Sequence, residues 1–459
     1  MKRLLGFIAI LLLFVDVAYG ADIYRYRVYL KDKGNSGYRL DRAEEFLSAD
    51  AIERRRRHGI ALSESDMPIS QAYIDSLAAR GGKYVVSSRW MSTVVVSLQD
   101  TSLLNGIASL PMVDSVKLVW RGSDMAAVES MVREERRYKP DDAPLSSPYG
   151  YANKQVAMLK GERLHKMGFK GEGMRVAVID EGFRNVDMIS LFDSINIVGT
   201  YNVSSPSSGV YHDGDHGTKV LSCLAANSPG VMLGTAPAAT YWLIRSEDSH
   251  SEFPIEEDYW AAAVEYADSV GVDVISSSLG YFSFDDSSMN YIRAQLDGKS
   301  ALISRVASIA SSKGLLVFCS AGNEGSGDWG KITFPADADG IVSVGAVTDR
   351  KKRSSFSSMG FTADGRVKPD MVAMGSACCV VDPEGEIRFA NGTSFATPIL
   401  AGLAAALWQA FPEVTNMDII DAMRRSCSNY KRPDAERGYG VPDMYKAYKI
   451  LKRHGSEAR

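Results

Sequence analysis

Four short segments of the 459-residue chain carry side chains that could act on an acyl group. Val176-Ala177-Val178-Ile179-Asp180-Glu181-Gly182 delivers a carboxylate at the end of an apolar run. Asp213-Gly214-Asp215-His216-Gly217-Thr218 sets an imidazole in a glycine-bordered loop that enters a helix. Ser320-Ala321-Gly322-Asn323-Glu324-Gly325 offers a side-chain amide in a turn, and Asn391-Gly392-Thr393-Ser394-Phe395-Ala396-Thr397-Pro398 puts a hydroxyl where a long apolar helix opens. Singly, each has a bland reading: a strand-end aspartate, a loop histidine, turn chemistry at Asn323, a helix cap at Ser394. Together they form a set. A serine hydroxyl is a weak nucleophile near neutral pH and needs an imidazole base. The imidazole needs a carboxylate to fix its tautomer and balance its charge. The oxyanion of the tetrahedral intermediate needs donors, which an amide such as that of Asn323 and a backbone N–H at a helix start can supply. Only six histidines exist (His58, His165, His212, His216, His250 and His454), so the base has few candidates. His212 could pair with His216 on a metal only if both shared a helix face; it falls in the preceding loop, and no metal site is assigned.

These residues need rigid elements behind them. From Tyr149 onward, buried-type strands alternate with helices. Strands are expected at Met174 to Ile179, Thr240 to Arg245, Val272 to Ser276, Leu315 to Cys319 and Ile341 to Val347. Helices are expected at Val156 to Met167, Thr218 to Ala226, Glu256 to Val270, Ala301 to Lys313, Phe395 to Phe411, Thr415 to Ser426 and Met444 to Lys452. The pattern is α/β, with a mainly parallel sheet flanked by helices. Sites on such sheets gather at the carboxyl ends of the strands. Pro398 fits if it lies in the first helical turn, where no amide donor is needed. Alternation at a strand end directs Glu181 away from His216; a Glu181 lying close would instead favour the imidazolium.

Residues 1–20 read as a Sec-type signal peptide: Lys2 and Arg3, an apolar run from Leu4 to Val15, and a cleavage site at Ala18-Tyr19-Gly20. The run is too short for a membrane span, which needs about 20 residues. The protein is therefore expected to be exported, periplasmic or secreted, with no stable membrane insertion after signal removal. Residues 21–122 form a small module, with strands at Tyr24 to Leu30, Lys83 to Ser88, Thr93 to Leu98 and Val113 to Val119. Its helices are expected at Ala43 to Arg57, Ile69 to Arg80 and Thr101 to Leu110. Leaving out the basic helix, the order suggests an α+β ferredoxin-like fold. The run Arg54 to Arg57 is expected on that helix's solvated face. Residues 123–148 are a charged, proline-containing linker open to proteolysis, and 149–459 the α/β domain. Fifty-two basic against 56 acidic side chains give a net charge of −4, so no positive field favours nucleic acid. Five cysteines are too few for a disulfide scaffold, and the odd count leaves at least one unpaired or paired between chains.

From about Tyr149 to Ile450 the chain resembles the subtilisin-like serine proteases, whose triad runs in the order Asp, His, Ser. Gly392-Thr393-Ser394-Phe395-Ala396-Thr397-Pro398 is close to the family's nucleophile motif. Ser277-Ser278-Leu279-Gly280 is similar to its substrate-binding strand and Phe334-Pro335-Ala336 to its pocket loop; Ser355-Phe356-Ser357-Ser358 and Lys368-Pro369-Asp370 also match. The resemblance implies a serine endopeptidase with Asp180, His216 and Ser394 as triad. It implies Asn323 and the Ser394 amide as oxyanion donors, and Ser278, Leu279 and Gly280 pairing with extended polypeptide substrate. It implies no cofactor for the chemistry. A structural calcium ion is common in the family, but Asp285, Asp286 and Asp297 form no recognisable loop motif. The module 21–122 resembles the family's prosegment in element order and position, which implies a zymogen that carries its inhibitor in cis, expected as a monomer.

The chain departs from the family at three places. Glu181 replaces the usual Thr or Ser after the triad Asp, so the hydroxyl support of Asp180 is missing. Asp215 replaces a glycine, and Lys219 a second histidine. These changes bear on rate and pH profile. Two other readings are weaker. An inactive, peptide-binding relative would be expected to have lost a triad member, and none is lost. A nucleotide-binding α/β protein would need a glycine-rich phosphate loop after its first strand, which Glu181-Gly182-Phe183 does not provide.

Overall fold

A computed structural model describes residues 22–123 and 145–457. The expected signal peptide and most of the expected linker lie outside the described residues.

The N-terminal unit is built from β1 (Asp22–Leu30), α1 (Ala49–Arg57), α2 (Gln71–Ala78), β2 (Lys83–Ser88), β3 (Thr93–Leu98), α3 (Leu104–Ala108) and β4 (Val113–Ser123). Its four strands pair antiparallel in the order β2-β3-β1-β4. With α1 set aside, that is the expected ferredoxin-like arrangement. Val28, Val94, Val96 and Leu98 pack with Leu77 and Ile107 of the two helices behind the sheet.

The second unit holds a seven-stranded sheet, parallel at every pairing, in the order β13-β12-β11-β10-β5-β9-β6. Its strands are β5 (Arg175–Asp180), β6 (Asn196–Asn202), β9 (Thr240–Arg245), β10 (Val274–Ser277), β11 (Leu316–Ser320), β12 (Val342–Val347) and β13 (Met371–Met374). Two ribbons add β7 (Asn227–Ser228) with β8 (Met232–Leu233) and β14 (Cys378–Val381) with β15 (Ile387–Ala390). Helices α4 (Asn153–Met158), α5 (Gly161–Lys166), α6 (His216–Ala225), α7 (Ile255–Ser269), α8 (Leu302–Ser312), α9 (Thr393–Gln409), α10 (Asn416–Ser426) and α11 (Met444–Glu457) flank it. The single helix expected from Val156 to Met167 is two, because Lys160 adopts a left-handed φ of 61° between them. The chain leaves β5 for one side of the sheet and returns on the other, so β5 lies between β9 and β10. Such a switch point opens a crevice at the strands' carboxyl ends. Asp180 is the last residue of β5.

All five cysteines are buried and unbridged. No helix among the described residues is long and apolar enough to cross a membrane.

The two units share a buried ionic interface. Arg27 of β1 grips Asp258 of α7 with two bonds of 2.7 Å. Arg55 bridges Asp268 at 2.7 Å and Asp66 at 3.0 Å, and Lys313 reaches Asp66 at 2.9 Å. Arg54 pairs with Asp268 as well. Glu265 accepts from the backbone N–H of Arg89 (2.9 Å) and Trp90 (3.1 Å). The solvated-face reading of the arginine run is thus wrong for two of its members: Arg54 and Arg55 are 1% and 2% exposed. The charges on α1 are read correctly from sequence, but the partner that Arg54 and Arg55 share, Asp268, lies more than 200 positions away on α7. Removing one member of a buried pair strands the other, at a cost of about 3–5 kcal/mol. Asp268→Ala is therefore expected to lower the unfolding midpoint of the uncut chain markedly, measured in a Ser394→Ala background; an unchanged midpoint would show that these pairs contribute nothing.

Candidate active site

β5 carries Asp180 to the switch point with its side chain fully buried. One carboxylate oxygen, Oδ1, accepts from the Glu181 backbone N–H at 2.9 Å and lies 2.6 Å from Nδ1 of His216. The other, Oδ2, is buried without a hydrogen-bond partner. His216 is the first residue of α6, and the helix sits close on β5 because Gly217 has no side chain. A Cβ there would come within 2.2 Å of the Gly182 carbonyl oxygen and 3.0 Å of the Asp180 Cβ.

The imidazole is 28% exposed and leans on Phe395, with ring centroids 5.9 Å apart. Burial alone would push its pKa down. The charge and hydrogen bond of Asp180, and then the charge of Glu181, outweigh burial and raise the pKa to about 9.

Ser394 is the second residue of α9 and nearly buried, at 7% exposure. Its hydroxyl donates to the Ser278 carbonyl oxygen at 3.3 Å. No hydrogen bond joins it to His216 in this structure, and catalytic hydrogen bonds commonly tighten only once substrate is bound. Pro398 lies in the second turn of α9, not in the first as expected. Lacking an N–H, it leaves the Ser394 carbonyl without its donor four residues on. The Ser278 hydroxyl fills that place, donating to the Ser394 carbonyl oxygen at 2.8 Å. One proline thereby ties the residue after β10 to the first turn of α9.

Asn323 follows β11, and its Oδ1 accepts from the Thr393 N–H (2.9 Å) and hydroxyl (3.1 Å). Asn323 is exposed, and its Nδ2 has no hydrogen-bond acceptor among the described residues. The turn is braced by the Ser358 hydroxyl, which accepts from the Glu324 N–H at 2.9 Å. Leu279 and Ser278 are buried, whereas Gly280 is exposed and open to pairing. A Cβ on Gly280 would stand 2.2 Å from the Thr333 hydroxyl, so only glycine lets this strand approach the loop before Phe334. Tyr281 and Phe334 exchange backbone hydrogen bonds at 2.9 and 3.0 Å, joining the segment after Gly280 to the loop of Phe334.

His212 is exposed and takes no part in the cluster. Glu181 does not turn away from His216: its Oε1 accepts from the backbone N–H of both Asp215 and His216, each at 3.1 Å. Strand alternation ends at Asp180, and the chain turns at Gly182, which frees the next side chain to fold back. Sequence reasoning also missed the carboxylates Glu247, Glu252 and Glu256. Among the described residues, they are the group whose oxygens lie close enough to share a cation, all within 4.8 Å. Burial, then repulsion between neighbouring carboxylates, pushes their pKa values up. Of the aspartates considered from sequence, Asp286 pairs with Arg121 at 3.0 Å and Asp297 accepts from the Ser300 N–H at 2.7 Å, whereas Asp285 borders this cluster and accepts from the Glu252 N–H at 3.1 Å.

Asp180 and His216 thus meet at the switch point of a parallel α/β sheet, with Phe395, the residue after Ser394, against the imidazole. Residues 171–441, more than half the chain, match the Subtilase family, and residues 25–137 match the description "Peptidase S8 propeptide domain, Bacteroidota". The chain belongs to the subtilase family of serine endopeptidases. It is 33% identical over 287 residues to Subtilisin NAT of Bacillus subtilis subsp. natto, covering 62% of this chain and 66% of that one. At the same identity and length it matches Subtilisin of Bacillus pumilus, covering 62% and 92%. It is 27% identical over 331 residues to M-protease of Shouchella clausii (strain KSM-K16), covering 72% and 77%.

If the Asn323 amide meets the oxyanion, Asn323→Ala should lower turnover about 10²–10³-fold with little change in the Michaelis constant. Steady-state kinetics on a chromogenic peptide check this. An unchanged turnover would remove Asn323 from the reaction.

Proposed function

We propose that the protein is a serine endopeptidase that cleaves extended polypeptide through Asp180, His216 and Ser394 and is made as a self-inhibited precursor. The reading rests above all on the 2.6 Å contact of Asp180 Oδ1 with His216 Nδ1 at the switch point, beside the helix start that presents Ser394. Ser394 Oγ attacks the peptide carbonyl carbon while His216 Nε2 takes its proton. Asp180 holds Nδ1–H and balances the imidazolium. The carbonyl oxygen, now negative, is met by the Asn323 amide and the Ser394 N–H. The C–N bond breaks as His216 gives its proton to the leaving amine, leaving an acyl ester on Ser394. Water, deprotonated by His216, hydrolyses the ester and restores the hydroxyl.

Substrate adds as a strand along Ser278, Leu279 and Gly280, which favours locally unfolded chains over folded ones. No cofactor enters these steps. Where a calcium ion binds, Glu247, Glu252 and Glu256 supply the hard oxygen donors it prefers, and Glu256 Oε2 is buried without another partner. The ion would neutralise these carboxylates and act structurally.

The N-terminal unit acts as prosegment in cis, and a cut within residues 123–148 separates it from the catalytic unit of 149–459. Export through the signal at residues 1–20 places the enzyme in the periplasm or the medium, as a monomer. The test is hydrolysis of unfolded casein by the purified protein, with Ser394→Ala as control and amino-terminal sequencing of the active species. Casein left intact by the wild type would refute the activity. An active species beginning at Ala21 would refute the zymogen.

A further inference from the structure

The turn after β5 holds a feature that the triad does not use. α6 begins at His216 without a side-chain cap from its own N-cap residue, Asp215. The first amides of a helix need acceptors, and negative charge at a helix start is favourable. Here both come from another element: Glu181 Oε1 accepts from the N–H groups of Asp215 and His216, each at 3.1 Å. The residue next to the candidate triad aspartate thereby grips the backbone of the candidate base.

We propose that Glu181 is a positioning residue for His216: its carboxylate caps the start of α6, fixing the histidine backbone, and sets a second negative charge beside the imidazole. This rests on the reading of His216 as general base. The two roles are separable. The cap needs an oxygen acceptor, which a glutamine also has; the charge needs the carboxylate.

The charged groups facing the ring are few. Asp180 and Glu181 come from β5 and its turn. On α6 itself, Lys219 faces the ring and is held 2.6 Å from Asp215, which dilutes both charges. From α9 the neighbour is the uncharged Phe395. Beyond the first circle, Asp213 is paired with Arg245 at 3.0 Å, and Glu247 lies near enough to interact with Asp180 and Glu181. Only neutral imidazole can accept the Ser394 proton, so the rate must rise with pH through the pKa of His216. Glu181, by favouring the imidazolium, moves that rise to higher pH. Losing its charge moves the rise to lower pH.

The experiment compares Glu181→Gln and Glu181→Ala with wild type in kcat against pH. Competent sites are counted by fluorophosphonate titration, so that unfolded protein does not enter the rate. Glu181→Gln should shift the acid limb down by roughly one pH unit, with the alkaline plateau of kcat unchanged. Glu181→Ala should show the same shift and, having lost the cap, a plateau about tenfold lower. Ring-nitrogen NMR of His216 in the full-length Ser394→Ala chain reads the same shift without any turnover. An acid limb and a ring titration that do not move in Glu181→Gln would overturn the charge role. A Glu181→Ala plateau equal to that of Glu181→Gln would overturn the positioning role. If the Ser394→Ala protein hydrolysed peptide like wild type, the underlying reading of the site would fail, whatever Glu181 does.

Discussion

Ser394→Ala is expected to lower peptide hydrolysis about 10⁶-fold, because the neighbouring hydroxyl at the start of α9, that of Thr393, is committed to Asn323 Oδ1 at 3.1 Å. The fold should survive. The Ser394 hydroxyl makes one 3.3 Å bond to the Ser278 carbonyl, while the tie that matters to the helix runs from the Ser278 hydroxyl to the Ser394 carbonyl and needs no side chain at position 394. Residual hydrolysis above water would come from the oxyanion donors and from binding. The same variant tests maturation. A precursor that cuts its own linker should accumulate uncut, from Ala21 to Arg459, when purified away from other proteases. Loss of activity with normal maturation would mean that another protease makes the cut, for which Arg133, Arg136 and Arg137 offer sites.

Asp180→Asn is expected to cost about 10⁴-fold in kcat with the packing of the site nearly unchanged. At 2.6 Å the carboxylate accepts the Nδ1 proton of His216, leaving Nε2 free to take a proton from Ser394. An asparagine amide in that place can donate to Nδ1, which moves the ring proton to Nε2 and blocks the base. The loss should therefore shrink in alkaline solution, where hydroxide can replace the imidazole as base. Kinetics across pH check this, and a variant within tenfold of wild type at neutral pH would show that Asp180 does not set the tautomer.

What the sequence made legible, and what it did not, follows from the range of the forces involved. β5, β9, β10, β11 and β12 are continuous apolar runs because both faces of the sheet are covered, and such runs stand out. The strand ends that carry Asp180 and Asn323, and the helix starts that carry His216 and Ser394, follow from those runs and their glycines. β6 escaped notice: it is an edge strand with alternating burial, interrupted by a register shift near Gly199. The break at Lys160 is a single residue in a left-handed conformation, which helical periodicity does not reveal. Arg54 and Arg55 look like a solvated basic face because nothing nearby in sequence marks Asp268 as their partner. Glu181 was placed by strand alternation, a rule that stops where the strand stops. For Arg54, Arg55 and Glu181 a contact distant in sequence overrode a local pattern.

The central claim is that Ser394 is the nucleophile, driven by His216 and Asp180. Fluorophosphonate labelling of the active, purified protein, followed by peptide mass spectrometry, tests it most directly. A single phosphonyl adduct is expected, on Ser394, that forms faster as pH rises toward 9 and is all but lost in His216→Ala. An adduct on another residue, or ongoing peptide hydrolysis by protein that takes no label, would contradict it.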